Sequence, residues 1–290
     1  MREVLLPKTL DELWRCMERH PLAQVYAGGT DLLVKMHGGL LNPVALICLE
    51  RIEELKGVAE HGGQIRIGSG VTCARLADEP AVREHLSVLR QAAMHLGSPP
   101  VRNMATIGGN ICTASPAGDT LPPLYVLKAE VELRSEDGVR RMKIEEFITG
   151  PGATRFDPRE ILAAVWVKKP EGYNRQHFEK VGLRNALACS VVSFAALLGL
   201  APDGTVEKAA LAWGSTGPTV VTCPGAEEAL LGGRLTPDRL RAAGSIVRES
   251  VAPISDVRAD ADYRRAVAGN LLLRLSEAWE EQREDGRERI

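Results

Sequence analysis

Two glycine pairs constrain this chain more than anything else in it. The first stands in Ala27-Gly28-Gly29-Thr30-Asp31, the second in Thr106-Ile107-Gly108-Gly109-Asn110. Adjacent glycines allow positive φ and let a ligand or another backbone come close. Successive amides at a turn leading into a helix converge on one point and attract an anion. The first loop, with the Thr30 hydroxyl, suits a phosphate or pyrophosphate; the same residues also serve as a plain tight turn. Neither pair is a G-x-G-x-x-G after a strand or a G-x-x-x-x-G-K-[ST] loop, which counts against a classical dinucleotide-binding or ATPase site. The second pair sits in a longer run of small polar residues, Arg102 to Pro123, that holds one carboxylate, Asp119, and closes on two prolines. Two separated amide nests and a lone carboxylate fit one extended ligand, with a diphosphate in the middle and hydroxyl-bearing parts for Asp119.

The rest of the chain excludes several function classes. A net charge of −2 over 290 residues argues against nucleic acid, which needs clustered positive charge. The dense charged run Glu280–Arg289 mixes both signs and reads as a solvated helix end or tail. Met1–His20 lacks the pattern of a signal peptide, and no stretch reaches about 18 apolar residues, the length of a membrane span. A cytoplasmic protein is expected. The six cysteines are scattered with no C-x-x-C pair, so zinc and iron–sulfur spacing is absent. Cys112 lies inside the second motif, but as a nucleophile it would need a base and a lowered pKa. His37 and His95 lie near the motifs and read as structural.

Length predicts about two domains, and three textures divide the sequence. Residues 1–57 read as a small β-α-β unit: a helix over "TLDELWRCMERH", capped by Thr9 with Glu12 three on, then strands "QVYA" and "ALICLE" around a short helix. Residues 58 to about 170 carry the strand "GGQIRIGSGVT", two helical stretches split at Pro80, the second glycine motif, a hairpin turning at Glu136-Asp137-Gly138, and the strand "EILAAVWV". Beyond about 173, the chain alternates as antiparallel strands with a turn at Asp203-Gly204, and then becomes helical, with Thr236 as N-cap and Pro237 at the first helical position.

The stretches "AGGTDLL" at 27–33, "TIGGNICTASPAGDTLPP" at 106–123, "EILAAVWV" at 160–167 and "FEKVGLRNALACSVVS" at 178–193 resemble the FAD-binding, or medium, subunit of the molybdenum hydroxylases. That family includes xanthine dehydrogenase, aldehyde oxidase, carbon monoxide dehydrogenase and nicotinate dehydrogenase relatives. "DYRRAVAGNLLLR" resembles the last helix of its C-terminal domain, so the resemblance covers nearly the whole chain. It implies an α+β fold: a two-subdomain α/β FAD-binding domain of PCMH type over 1–172 (subdomains about 1–57 and 58–172), followed by a CO-dehydrogenase-flavoprotein-like domain over 173–290 with a three-stranded antiparallel sheet and helices.

It also implies roles for individual residues. Tyr26, Ala27, Gly28, Gly29, Thr30, Asp31, Leu32 and Leu33 match the first pyrophosphate loop. Thr106, Ile107, Gly108, Gly109 and Asn110 match the second diphosphate and ribityl loop. Asp119 matches a carboxylate that hydrogen-bonds the FAD chain, and Ser115 lies in the same segment. Leu96 and Leu162 match apolar contacts to the cofactor, and Lys180 a cation near the flavin. Without the resemblance, Lys180 would read as a solvated strand lysine, Leu96 and Leu162 as core, and Ser115 as a turn cap.

The function implied is that of an electron-transfer subunit of an oxidoreductase. A substrate is hydroxylated at molybdenum on a large molybdopterin-binding subunit. Electrons pass through [2Fe–2S] clusters of a small ferredoxin-like subunit to FAD, and on to an external acceptor such as NAD. This chain carries only the flavin stage, with no protein acid–base pair and no metal site. The absence of an extra cysteine quartet disfavours the 4-hydroxybenzoyl-CoA reductase branch. The alternatives are a stand-alone FAD-dependent reductase of the same broad fold, such as a cell-wall-precursor reductase, and a flavin-binding or assembly protein with no turnover of its own.

Overall fold

The computed structural model describes residues 2–184 and 187–276; the charged run Glu280–Arg289 lies outside them. The chain divides into two compact units that alternate along it. The first comprises Met1–His85, Leu96–Ser115 and Lys128–Lys169; the second comprises Leu86–His95, Pro116–Leu127 and the chain from Pro170 on.

The first unit begins with a parallel three-stranded sheet in the order β1 (Glu3–Leu5), β3 (Ala45–Cys48), β2 (Gln24–Tyr26). Helix α1 (Leu10–Arg19) follows the spacing of its apolar residues: Leu10, Leu13 and Trp14 are buried and cluster with Ile47, Ile52 and Leu55. Its start is fixed as the sequence predicts. Thr9 Oγ1 accepts the Glu12 amide at 3.2 Å, and Glu12 Oε2 accepts the Lys8 amide at 2.7 Å, satisfying donors that the first turn leaves without partners. The short helix α2 (Leu32–His37) joins β2 to β3. The edge strand β1 adds to the β-α-β unit read from the sequence. Its three residues are too few to show a periodicity.

The rest of the first unit is built on an antiparallel five-stranded sheet. Its order is β4 (Val58–His61), β5 (Gln64–Gly68), β10 (Ile161–Lys168), β6 (Glu130–Arg134), β7 (Val139–Lys143). The central strand β10 is apolar on both faces and buried from Ile161 to Val167, as expected for a strand covered on both sides. Helices α3 (Cys73–Asp78), α4 (Pro80–His85), α6 (Pro99–Met104), α7 (Ile107–Thr113) and α9 (Ile144–Phe147), with the small pair β8 (Ile148–Gly150) and β9 (Ala153–Thr154), complete the unit.

The second unit has an antiparallel sheet in the order β11 (Arg175–Val181), β12 (Val192–Leu200), β13 (Val206–Gly214), β14 (Val221–Thr222). The expected three strands are present; the fourth, of two residues, adds an edge too short to register as a pattern. All nine residues of β12 are buried. Its even-numbered side chains, Val192 to Leu200, cluster with α10 (Pro224–Leu230), α11 (Pro237–Ser250) and α12 (Ala261–Asn270). The opposite face carries Ser193 beside Gly214 and Pro122, under α8 (Leu121–Val126). Helix α5 (Ser87–His95) lies along the β11 edge, where Gln91 Oε1 accepts the Phe178 amide at 2.9 Å and Gln176 Oε1 accepts the Val88 amide at 3.1 Å. These bonds satisfy backbone and side-chain groups that a free sheet edge would leave to water.

Before α12, a turn is tied by one carboxylate. Asp256 Oδ1 accepts the amides of Arg258 and Ala259 at 2.8 and 3.3 Å, and Arg264 Nη2 at 2.6 Å. The Arg258 amide first, then Arg264 and Ala259, hold this carboxyl down at about 2 against the opposing effect of burial. An acid held below its ordinary value stabilises the fold once ionised in both states, and that contribution is lost as pH falls through the folded value. Asp256→Asn is therefore expected to lower stability at neutral pH. It should also flatten the loss of stability between about pH 4 and pH 2, measured as melting temperature against pH beside the parent chain.

Candidate functional site

The first glycine motif follows β2 directly. Gly29 takes φ +71°, in the left-handed region, and Leu33 lies over it. The amides of Gly28, Gly29 and Thr30 meet no acceptor among the described residues, while the Gly29 carbonyl accepts the Leu33 amide at 2.9 Å and starts α2. Three successive amides with free hydrogens on a left-handed turn form a nest for an anion. Ala27 and Thr30 are half-buried, Leu32 is buried and Leu33 is exposed. Tyr26, at the end of β2, is half-buried; burial first, then Cys48 and Glu50, push its phenol up to about 12. It is a neutral donor at physiological pH.

The second motif meets the first. A Cβ on Gly28 would lie 1.7 Å from the Met104 carbonyl oxygen and 2.4 Å from its carbon, so the first loop rests on the backbone that enters Thr106. Thr113 Oγ1 donates to Asp31 Oδ2 at 3.5 Å, and Lys35 Nζ reaches the same oxygen at 2.6 Å. The two glycine motifs, about 80 residues apart in sequence, thus form one surface within the first unit.

Their parts differ from the sequence expectation. Thr106-Ile107-Gly108-Gly109-Asn110 is not an open nest but the capped start of α7. The Ile107 amide donates to Val71 O at 3.0 Å, Gly108 to Ser69 O at 2.9 Å and Asn110 to Thr106 O at 3.0 Å. Thr106 Oγ1 accepts the Gly109 amide at 3.0 Å. With these amides engaged, the second motif offers shape instead. Gly108 is a close-approach position, since a Cβ there would lie 2.6 Å from Ser69 Cβ. Gly109 faces outward: it is exposed, and a Cβ would meet only Thr106 Oγ1, at 3.0 Å. The sequence pattern missed Ser69 and Met104, whose backbones set both contacts; nothing in a serine or a methionine signals that its carbonyl will be used.

Three other candidates of the first unit lie apart from the glycine loops in the chain. Leu96 is buried, and its carbonyl accepts Arg102 Nη1 at 3.1 Å. Leu162 is buried in β10 opposite Leu133, beside a register shift in the ladder. Ser115 is half-buried and follows Ala114, itself in the left-handed region at φ 45°. Burial pushes the Cys112 thiol up to about 12, so it carries no thiolate at neutral pH.

In the second unit, Asp119 and Lys180 form a buried pair. Lys180 Nζ donates to Asp119 Oδ2 at 2.5 Å and to the His95 carbonyl at 3.2 Å; Ser190 Oγ donates to Asp119 Oδ1 at 2.6 Å. Both charged side chains are less than a tenth exposed. Burial raises the Asp119 carboxyl, and Lys180 and Ser190 oppose that shift. Lys180 is thus no solvated strand lysine. Ser190 is the member the sequence gave no reason to select, because it lies 71 residues from its partner. Among the described residues, no group of three or more His, Cys, Asp or Glu side chains is placed to hold a metal, and no helix is long and apolar enough to cross a membrane.

Residues 1–169 match the family described as the FAD binding domain in molybdopterin dehydrogenase, and residues 177–278 match the CO dehydrogenase flavoprotein C-terminal domain. The chain is 32% identical over 259 residues to the xanthine dehydrogenase FAD-binding subunit of Escherichia coli O157:H7, covering 88% of each. It is 30% identical over 279 residues to the nicotinate dehydrogenase FAD-subunit of Eubacterium barkeri, covering 94% of each. A chain of carbon monoxide dehydrogenase from Hydrogenophaga pseudoflava superposes with a TM-score of 0.89 at 29% identity, over 96% of this chain and 97% of that one.

Proposed function

The chain belongs to the FAD-binding subunits of the molybdopterin dehydrogenases, and on that footing we propose that it relays electrons from [2Fe–2S] clusters of a small ferredoxin-like subunit to an external acceptor such as NAD. A large molybdopterin-binding subunit would complete the enzyme, with substrate oxidised there and not on this chain. It is an oxidoreductase component, and FAD is its cofactor. When bound, FAD supplies the exchange between two-electron and one-electron chemistry; the protein supplies binding, orientation and electrostatics.

The observation that carries this reading is the Gly28 nest resting on the Met104 backbone. The residues present fit a dinucleotide diphosphate: the amides of Gly28, Gly29 and Thr30 have no acceptor among the described residues, and the open Cα face of Gly109 leaves room that a side chain would fill. On this reading, the nest neutralises the diphosphate and Gly109 admits it, while Tyr26, Asp31, Leu32 and Leu33 shape the surround. We also assign the buried pair Asp119 and Lys180, in the second unit, to cofactor binding.

Gly109→Val tests the reading. The new side chain projects outward, so stability should change by no more than about 1 kcal/mol, the span of helix propensities. Flavin should be lost, read as visible flavin absorbance relative to protein absorbance in purified protein. Full flavin occupancy in a folded Gly109→Val chain would remove the second motif from the site.

A further inference from the structure

We propose that Arg264 is a positioning residue for the Asp119–Lys180 pair, acting through Ser190 and Ser215. The inference rests on the assignment of Asp119 to the cofactor made above. Arg264 belongs to α12 and is 3% exposed. Its helix is anchored to β13 where Trp213 Nε1 donates to the Ala268 carbonyl at 3.0 Å. Arg264 Nη2 reaches Asp256 at 2.6 Å, and Nη1 donates to two carbonyls, Val191 at 2.8 Å and Ser215 at 3.3 Å. A buried guanidinium that holds two backbone oxygens on one nitrogen and a carboxylate on the other works as a clamp, because its donors are fixed in one plane.

Both clamped segments lead to Asp119. Val191 is next to Ser190, whose hydroxyl donates to Asp119 Oδ1. Ser215 holds the left-handed region at φ 62° without being glycine, a conformation that persists only when its surroundings enforce it. Its surroundings do so at every polar atom. The Ser215 amide donates to the Pro116 carbonyl at 2.8 Å, its hydroxyl donates to the Ser190 carbonyl at 3.1 Å, and its own carbonyl accepts Arg264. Pro116 opens the segment that carries Asp119. One arginine therefore fixes the serine that donates to the carboxylate and the chain that presents it. Neither effect needs Arg264 to touch the cofactor.

The experiment is FAD titration of the full chain, freed of flavin, followed by quenching of flavin fluorescence. Asp119→Asn and Arg264→Met should each weaken FAD binding about tenfold, the loss expected for one charge-assisted hydrogen bond. Ser190→Ala should weaken it less. The double variant Arg264→Met/Ser190→Ala should bind no more weakly than Arg264→Met alone, because both act on one carboxylate. Arg264→Lys, which keeps the charge but cannot reach the two carbonyls and Asp256 together from its single nitrogen, should not restore affinity. Melting temperature recorded for each variant separates unfolding from misplacement. If Arg264→Met does not fold, Asp256→Asn, which frees only one guanidinium nitrogen, must show the same non-additivity with Ser190→Ala. Additive losses, or full rescue by lysine, overturn the proposal. If Asp119→Asn weakens binding and no Arg264 or Asp256 variant does, only the role of Arg264 fails; unchanged affinity in Asp119→Asn defeats the cofactor assignment beneath it.

Discussion

Gly28→Ala is expected to abolish flavin binding and to destabilise the first unit by about 3 kcal/mol or more, the upper end of the range for overpacking. The single added carbon would lie 1.7 Å from the Met104 oxygen. That atom is backbone at the end of α6, and the next carbonyl along, Ala105, already accepts the Cys73 amide at 2.8 Å. Neither side can rotate away, so the loop must lift from Met104. The nest would then lift from the chain that leads into the second motif, and both measurements, denaturant midpoint and flavin content, should move together. Gly109→Val should move flavin content alone. A Gly28→Ala chain with parental stability and full flavin would show that the two motifs do not rest on each other.

Asp119→Ala is the second large effect. Lys180 would be left less than a tenth exposed with its carboxylate removed and, among the described residues, only the His95 carbonyl to accept from it. Breaking a buried pair by deleting one partner typically costs about 3–5 kcal/mol, most of it the uncompensated charge. Asp119→Ala/Lys180→Met should recover a large part of that loss, because the second change removes the stranded ammonium. Urea denaturation of the four chains forming this cycle gives the coupling directly. Additive losses would mean that the pair contributes nothing beyond its separate packing. Asp119, read from the sequence as a lone carboxylate in a polar, proline-closed segment, is bonded through both oxygens, to Lys180 and to Ser190.

What the sequence revealed and what it withheld divide along physical lines. The α1 cap, the Asp203-Gly204 turn and the β11–β13 strands were legible because each depends on residues a few positions apart. The apolar run of β10, unbroken from Ile161 to Val167, was legible as a strand, and the structure buries it along that whole run. The glycine pairs were legible as backbone requirements, but not which requirement each one met. Gly28 and Gly108 are where another backbone or side chain presses in, and only Gly29 uses positive φ. The stretch Ser98–Thr113 reads as small polar residues with prolines and glycines, yet it folds into α6 and α7. Tertiary acceptors at Val71 and Ser69 hold the α7 start where propensity alone would not. Ser190, Ser215 and Arg264 were invisible for the same reason: their partners are distant in sequence, and serine and arginine appear in every surface.

Five crossings between the two units lie along the chain, at residues 85/86, 95/96, 115/116, 127/128 and 169/170. Helices α5 and α8 are encoded in the first half yet cover the sheet encoded in the second. Severing the gene near Lys169 would therefore strip that sheet of one covering layer and leave Lys180 without Asp119. Exchanging the two halves as separate modules is therefore expected to yield no folded second unit.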